Sequence, residues 1–125
     1  MIGDPQMRGL GHDGSGERYR DVVLPDIEQF KQTTNGEFFA INLGDLVFND
    51  MSKLDDYVNV IAESEVPMFH AIGNHDHDAS RDGDRNATEL YVQNVGPTDY
   101  SFNRGKVHFV VMDNVICTKS SGGLW

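Results

Sequence analysis

The stretch Ala71-Ile72-Gly73-Asn74-His75-Asp76 constrains this chain more than any other. It closes the apolar run Pro67-Met68-Phe69-His70-Ala71-Ile72 with a glycine turn. An amide, an imidazole and a carboxylate then follow in consecutive positions. An apolar run that ends in glycine and polar groups is how an α/β chain brings chemistry to the carboxyl end of a strand. The same pattern occurs upstream, where Phe38–Leu43 leads into Gly44-Asp45, and in short form at the start, where Met1-Ile2-Gly3 leads into Asp4-Pro5-Gln6. Strand ends that each deliver oxygen donors point to a metal site.

At 125 residues, one domain spanning 1–125 is the most the length allows. A hydrophobic content of 38% with 24% charged residues describes a folded globular chain. No apolar run is long enough to cross a bilayer, and the N-terminus lacks the basic and apolar regions of a signal peptide. The single cysteine, Cys117, excludes an internal disulfide and a cysteine-rich zinc site. Acidic residues outnumber basic ones 20 to 10, for a net charge of −10. That balance argues against nucleic acid or an anionic membrane surface as a partner, since both select a basic face.

Along the chain, residues 7–20 carry Gly9, Gly11, Gly14 and Gly16 and read as a flexible loop. Asp21 to Thr34 reads as a helix, with Val23, Ile27 and Phe30 on one face and Asn35-Gly36 as its stop. Strand Phe38–Leu43 follows. Ser52 and Asp55 resemble a capping box, and Leu54, Tyr57, Val58 and Ile61 repeat at helical spacing. Residues 77–86 read as an exposed loop and Ala87 to Asn94 as a short helix. Tyr100-Ser101-Phe102, a turn at Asn103-Arg104-Gly105, and Lys106 to Asp113 read as a β-hairpin. The order predicts an α/β layered fold: a mainly parallel sheet flanked by helices, with a terminal β-hairpin.

Asp4-Pro5-Gln6, Gly44-Asp45 and Gly73-Asn74-His75-Asp76, in this order and spacing, resemble the calcineurin-like metallophosphoesterases, as does the hairpin from Tyr100 to Asp113. The fit is to the branch with Gln in the first motif, which includes bacterial envelope phosphohydrolases. The resemblance implies a layered calcineurin-like phosphoesterase fold, present in part, and a periplasmic or envelope setting for the parent protein. It implies hydrolysis of a phosphate ester at two divalent ions, of Mn, Mg, Fe or Zn, with a metal-bound hydroxide as nucleophile. It assigns Asp4, Gln6, Asp45 and Asn74 as metal ligands, with Asp45 bridging. His75 would act on the leaving group and Asp76 would orient its imidazole.

Taken singly, Asp4 reads as a free acid near the N-terminus, and Asp45 and Asn74 as turn formers or caps. The ordered set favours ligation for these residues and for Gln6. For Asp76, orienting group and turn cap both stay open. His70 and His108 lie in strand patterns and read as packed or edge histidines. His12 and His77 lie in loops and read as solvated histidines, with His77 the better candidate of the two to support the site from behind its ligands, and Asp113-Asn114 reads as a turn. Arg81 and Arg85 could meet a substrate phosphate.

The family's later histidine and its Gly-His-x-His segment have no counterpart, because no histidine follows His108. Ser121-Gly122-Gly123-Leu124 resembles the approach to the family's next helix. The expectation is therefore a domain clipped at both ends, corresponding to the N-terminal half to two-thirds of the family fold. The alternative is a catalytically inactive fragment or an interaction module. A sheet so clipped is expected to self-associate through the hairpin edge or the apolar terminus Leu124-Trp125.

Overall fold

The computed structural model describes residues 1–117, so the expected apolar terminus Leu124-Trp125 and the approach at Ser121 to Leu124 lie outside the described residues. The architecture is a mixed α/β arrangement with a small parallel sheet and an antiparallel hairpin. Strand β1 (Ala40–Asn42) pairs in parallel with β2 (Met68–His70), with Ile41 opposite Phe69. On the other side of β1 the N-terminal segment joins by a parallel bridge at Ile2. There Ile2 N–H donates to Ile41 O at 2.9 Å and Leu43 N–H donates to Ile2 O at 2.8 Å. Strands β3 (Tyr100–Arg104) and β4 (Val107–Val111) form the hairpin as a separate sheet, with Phe102 opposite Phe109.

The parallel strands are shorter than the apolar runs predict, and parallel pairing covers less of the chain than the hairpin does. Phe38 and Phe39 precede β1 and serve in aromatic packing instead. Leu43, expected inside, is 54% exposed. Outward-facing backbone groups of β2 meet a side chain. Tyr100 Oη accepts from His70 N–H at 2.9 Å and donates to His70 O at 2.8 Å. A hydroxyl that both donates and accepts satisfies the strand edge without a further strand. The hairpin is also held by rings. Phe69 stacks on Phe102 with centroids 3.7 Å apart, and Phe39 meets Phe69, Phe102 and Phe109 edge-on. Such pairs add about 0.5–1.5 kcal/mol each beyond burial.

The first helical region starts earlier than the sequence suggests. It runs as α1 (Ser15–Arg18), a π-helical stretch over Tyr19–Val23, and α2 (Leu24–Gln32). Two of the glycines that read as a loop, Gly9 and Gly16, have packing roles. A Cβ on Gly16 would lie 2.9 Å from Gly9 O, so the helix start fits only without one. The wide turn sits just before Pro25, which cannot donate back into the helix. Next, a 3₁₀ turn (Met51–Lys53) leads into α3 (Leu54–Ile61). Its cap is Asp50, not the expected Ser52–Asp55 box: Asp50 Oδ1 accepts from Ser52 N–H at 3.1 Å and from the Ser52 hydroxyl at 2.6 Å. The short helices α4 (Asp84–Ala87) and α5 (Glu89–Asn94) precede the hairpin. The core lies between α3, the helical region at Tyr19 and Leu24, and the loop after β1, and includes Met7, Leu46, Val47, Leu54, Tyr57 and Tyr91.

Candidate functional site

The three strand ends converge on a backbone-to-backbone contact between Gly44 and Gly73. A Cβ on Gly44, whose φ is 103°, would lie 2.7 Å from Gly73 N. A Cβ on Gly73 would fall 2.1 Å from Asp45 Oδ1, so only glycine leaves room for that carboxylate. Asp45 is buried, and its Oδ1 accepts from His75 N–H at 3.1 Å. The segment after the first bridge runs alongside. Asp4 N–H donates to Gly44 O at 3.3 Å, Gln6 N–H to Asp45 O at 2.8 Å, and Met7 N–H to Leu46 O at 2.9 Å. The Gln6 amide lies 3.5 Å from Asp45 Oδ2.

Asp4, Gln6 and Asp45 share an uncommon backbone state, with φ of 50°, 43° and 53°. The left-handed region costs a side-chain-bearing residue about 1–2 kcal/mol, less for Asp than for Gln. Strain of this kind concentrates where function demands a particular side-chain direction. Asn49, at φ 58°, is the fourth such residue and borders the same place.

Asn74 opens a 3₁₀ turn (Asn74–Asp76) and sits between Gly73 and His75, both of which touch Asp45. The His75 ring stacks on Phe48, with centroids 4.7 Å apart, and the Arg8 guanidinium lies 4.4 Å from the Phe48 centroid. His75 Nδ1 is 2.8 Å from Asn49 Oδ1. With the Asn49 oxygen placed towards the ring, Nδ1 carries hydrogen and Nε2 is the ring's other polar atom.

For Asp76 the turn-cap reading is the one found, and the expectations for His77 and Asp113 are corrected. Asp76 does not orient His75. Its carboxylate is fully buried and accepts from Val47 N–H at 3.0 Å and Gly73 N–H at 2.9 Å, which makes it the cap of its own turn. The imidazole is held by Asn49 instead. Burial pushes the Asp76 carboxyl up to about 6, with nearby Asp45 adding to the rise and the backbone donors opposing it. His77 is not a solvated loop residue either. It is fully buried, with Nδ1 2.9 Å from Gly73 O and Nε2 3.3 Å from Asp113 Oδ2. Asp113, expected in a plain turn, is thereby part of a buried pair.

His77, Asp84 and Asp113 offer one donor atom each within 4.8 Å of one another, and this group could hold a metal ion. His70 packs as expected. Burial lowers its pKa to about 4, and its Nε2 is 3.0 Å from Tyr57 Oη. His108 is exposed beside Asn103. Arg81 is engaged by Asp78 and Glu89, and Arg85 is exposed.

The residues at the Gly44–Gly73 junction carry the donor type of a hard divalent ion, and of their side chains Gln6 and Asp45 are in contact, at 3.5 Å. Asp45, Gln6, Asp4 and Asn74 all offer side-chain oxygen, the preference of Mg²⁺ and Mn²⁺. Amide O and N are interchangeable in placement. With its oxygen turned inward, Gln6 would stand beside Asp45 Oδ2 as two ligands of one ion do. Sequence reasoning missed Asn49, His77 and Asp113. A signal existed for Asp113, since it ends the apolar run Phe109–Met112 just as Asp45 follows Phe38–Leu43. Comparison with protein-family models and with curated proteins finds no match to this chain.

Proposed function

We propose that this chain carries the metal-binding part of a phosphoesterase that hydrolyses a phosphate ester at a pair of divalent ions. The observation that carries the reading is the shared left-handed backbone of Asp4, Gln6 and Asp45 around the Gly44–Gly73 contact. These residues bear the oxygen donors. Asp45 is the carboxylate between the other motifs and would contact both ions. Asp4 and Gln6 would hold one and Asn74 the other. The ions would supply polarisation of the phosphoryl oxygens and a nucleophile at neutral pH. The chain's own contribution is placement. Asn49 and Phe48 fix the His75 ring so that Nδ1–H stays on Asn49 and, when the ring carries both protons, the Nε2 proton is the one that can pass to the leaving oxygen. The partner is a phosphate-ester substrate. A second copy of the chain is the further partner in this reading, met at the apolar surface of Leu43, Val110 and Met112, each more than half exposed.

Release of nitrophenol from nitrophenyl phosphate and bis-nitrophenyl phosphate, in Mn²⁺, Mg²⁺, Fe²⁺ or Zn²⁺, tests the reading. The wild-type chain is expected to be active with at least one ion and Asp45→Asn to be inactive. His75→Ala is expected to lose about 10²–10⁴-fold in kcat. Equal rates for wild type and Asp45→Asn with every ion would overturn it.

A further inference from the structure

We propose that His77, Asp84 and Asp113 hold a divalent ion of the zinc class, at a site separate from the Gly44–Gly73 junction. The inference does not rest on the phosphoesterase reading. Each of the three side chains is anchored through one atom by a backbone group, and the three offer one donor atom each within 4.8 Å of one another. His77 Nδ1 meets Gly73 O at 2.9 Å, Asp113 Oδ1 accepts from Val115 N–H at 3.0 Å, and Asp84 Oδ1 accepts from Cys117 N–H at 2.9 Å. Fixing the far side of each ligand is how proteins orient a metal's donor set.

The decisive contact is between His77 and Asp113. A carbonyl oxygen only accepts, so His77 Nδ1 carries the hydrogen and Nε2 of the neutral ring is a bare acceptor. That acceptor is fully buried and faces a carboxylate oxygen, itself an acceptor, 3.3 Å away. Two acceptors facing each other call for a proton or a metal ion between them. A second proton on the ring would draw the pair to about 2.7–2.9 Å. Ligands bound to tetrahedral zinc at about 2.0–2.1 Å stand about 3.3 Å from each other. The 3.3 Å between His77 and Asp113 is a spacing that two ligands of one ion can take. One imidazole and two carboxylates form a borderline donor set that prefers zinc to magnesium. Three protein donors with Asp84 on the exposed side leave a fourth position open to water. The ion would tie the loop after the 3₁₀ turn to the segment leaving β4.

The test uses the metal-stripped full chain carrying Asp45→Asn, which removes the main donor of the other site. Zinc is then titrated with equilibrium dialysis and thermal unfolding as readouts. One zinc per chain and a rise in Tm are expected, with magnesium giving neither. Adding Asp84→Asn keeps the oxygen that Cys117 N–H needs and turns an amide nitrogen towards the ion. Zinc affinity is expected to fall on the order of 10–100-fold. Nitrogen NMR of wild-type His77 gives a second readout: zinc should shift Nε2 as a metal-bound atom while Nδ1 stays protonated. Unchanged zinc binding in Asp84→Asn would overturn the proposal. So would a His77 ring protonated at both nitrogens in saturating zinc at pH 7, which would mean an imidazolium–carboxylate pair.

Discussion

At the scale of single residues, the conflict between backbone and side chain is the most informative feature. Gln6 sits at φ 43°, where an unbranched side chain gains nothing locally. Gln6→Gly should remove about 1–2 kcal/mol of left-handed strain and return about 0.5–1 kcal/mol through the freer unfolded chain. Stability measured by urea unfolding is therefore expected to hold or rise by up to about 1 kcal/mol, while calorimetric Mn²⁺ affinity falls. A loss of more than about 1 kcal/mol would show that the Gln6 side chain is there for packing. Gly73→Ala runs the other way, since its Cβ would overlap Asp45 Oδ1 and N. A loss of about 3 kcal/mol or more is expected. These glycines were legible because a glycine after an apolar run marks a tight turn. The fates of Asp76 and His77 were not. In the run Asn74-His75-Asp76-His77, composition cannot say which polar groups turn inward. The 3₁₀ turn decides it, presenting Asn74 and His75 and burying Asp76 and His77.

At the scale of elements, the apolar runs announced both parallel strands but overstated their length. Hydrophobicity records burial, and Phe39 and Phe69 are sheltered by the hairpin's rings as much as by strand pairing. The helix starting at Ser15 was hidden because Gly16 serves close packing and not mobility. Between the elements runs a polar thread. Gly44 N–H donates to Asn42 Oδ1, which fixes the amide so that Nδ2 donates to Tyr57 Oη; Tyr57 must then donate to His70 Nε2. His70 is thus held neutral, in keeping with a pKa lowered to about 4 by burial. The unfolded chain binds a proton at this residue between its usual value near 6.5 and 4, and the folded chain does not. The His70 contribution is fully present above about 6.5 and is lost as pH falls through 4, for about 3 kcal/mol in total. Asp76, raised to about 6, opposes it, because its folded form holds a proton that the unfolded form releases. The test therefore reads the residue itself. The His70 ring carbon proton should not titrate between pH 7 and 5 by NMR, and His70→Gln should remove the acid-side loss relative to wild type. A midpoint above 6 would contradict the assignment.

At the scale of the whole molecule, two opposing terms set the behaviour in solution. A net charge of −10 repels like copies over a range set by salt. Against it stands a continuous apolar surface where β4 passes the ends of β1 and β2, lined by Ile41, Leu43, Ala71, Phe109, Val110 and Met112. Val110 and Met112 are 59% and 69% exposed there, on strand positions whose alternation turns them away from the hairpin's aromatic face. Screening weakens the repulsion without touching the apolar attraction, since the Debye length falls from about 10 Å at 0.1 M to about 3 Å at 1 M salt. Association is therefore expected to strengthen as salt is raised, the reverse of a contact made by ion pairs. Sedimentation velocity across that range should show the mean mass rising with NaCl, and Val110→Glu with Met112→Glu should abolish the rise while leaving the thermal transition in place, because both side chains are outside the core. A mass that stays constant with salt, or falls, would mean that this surface attracts no second copy, and that the acidic shell dominates the molecule's encounters at every ionic strength.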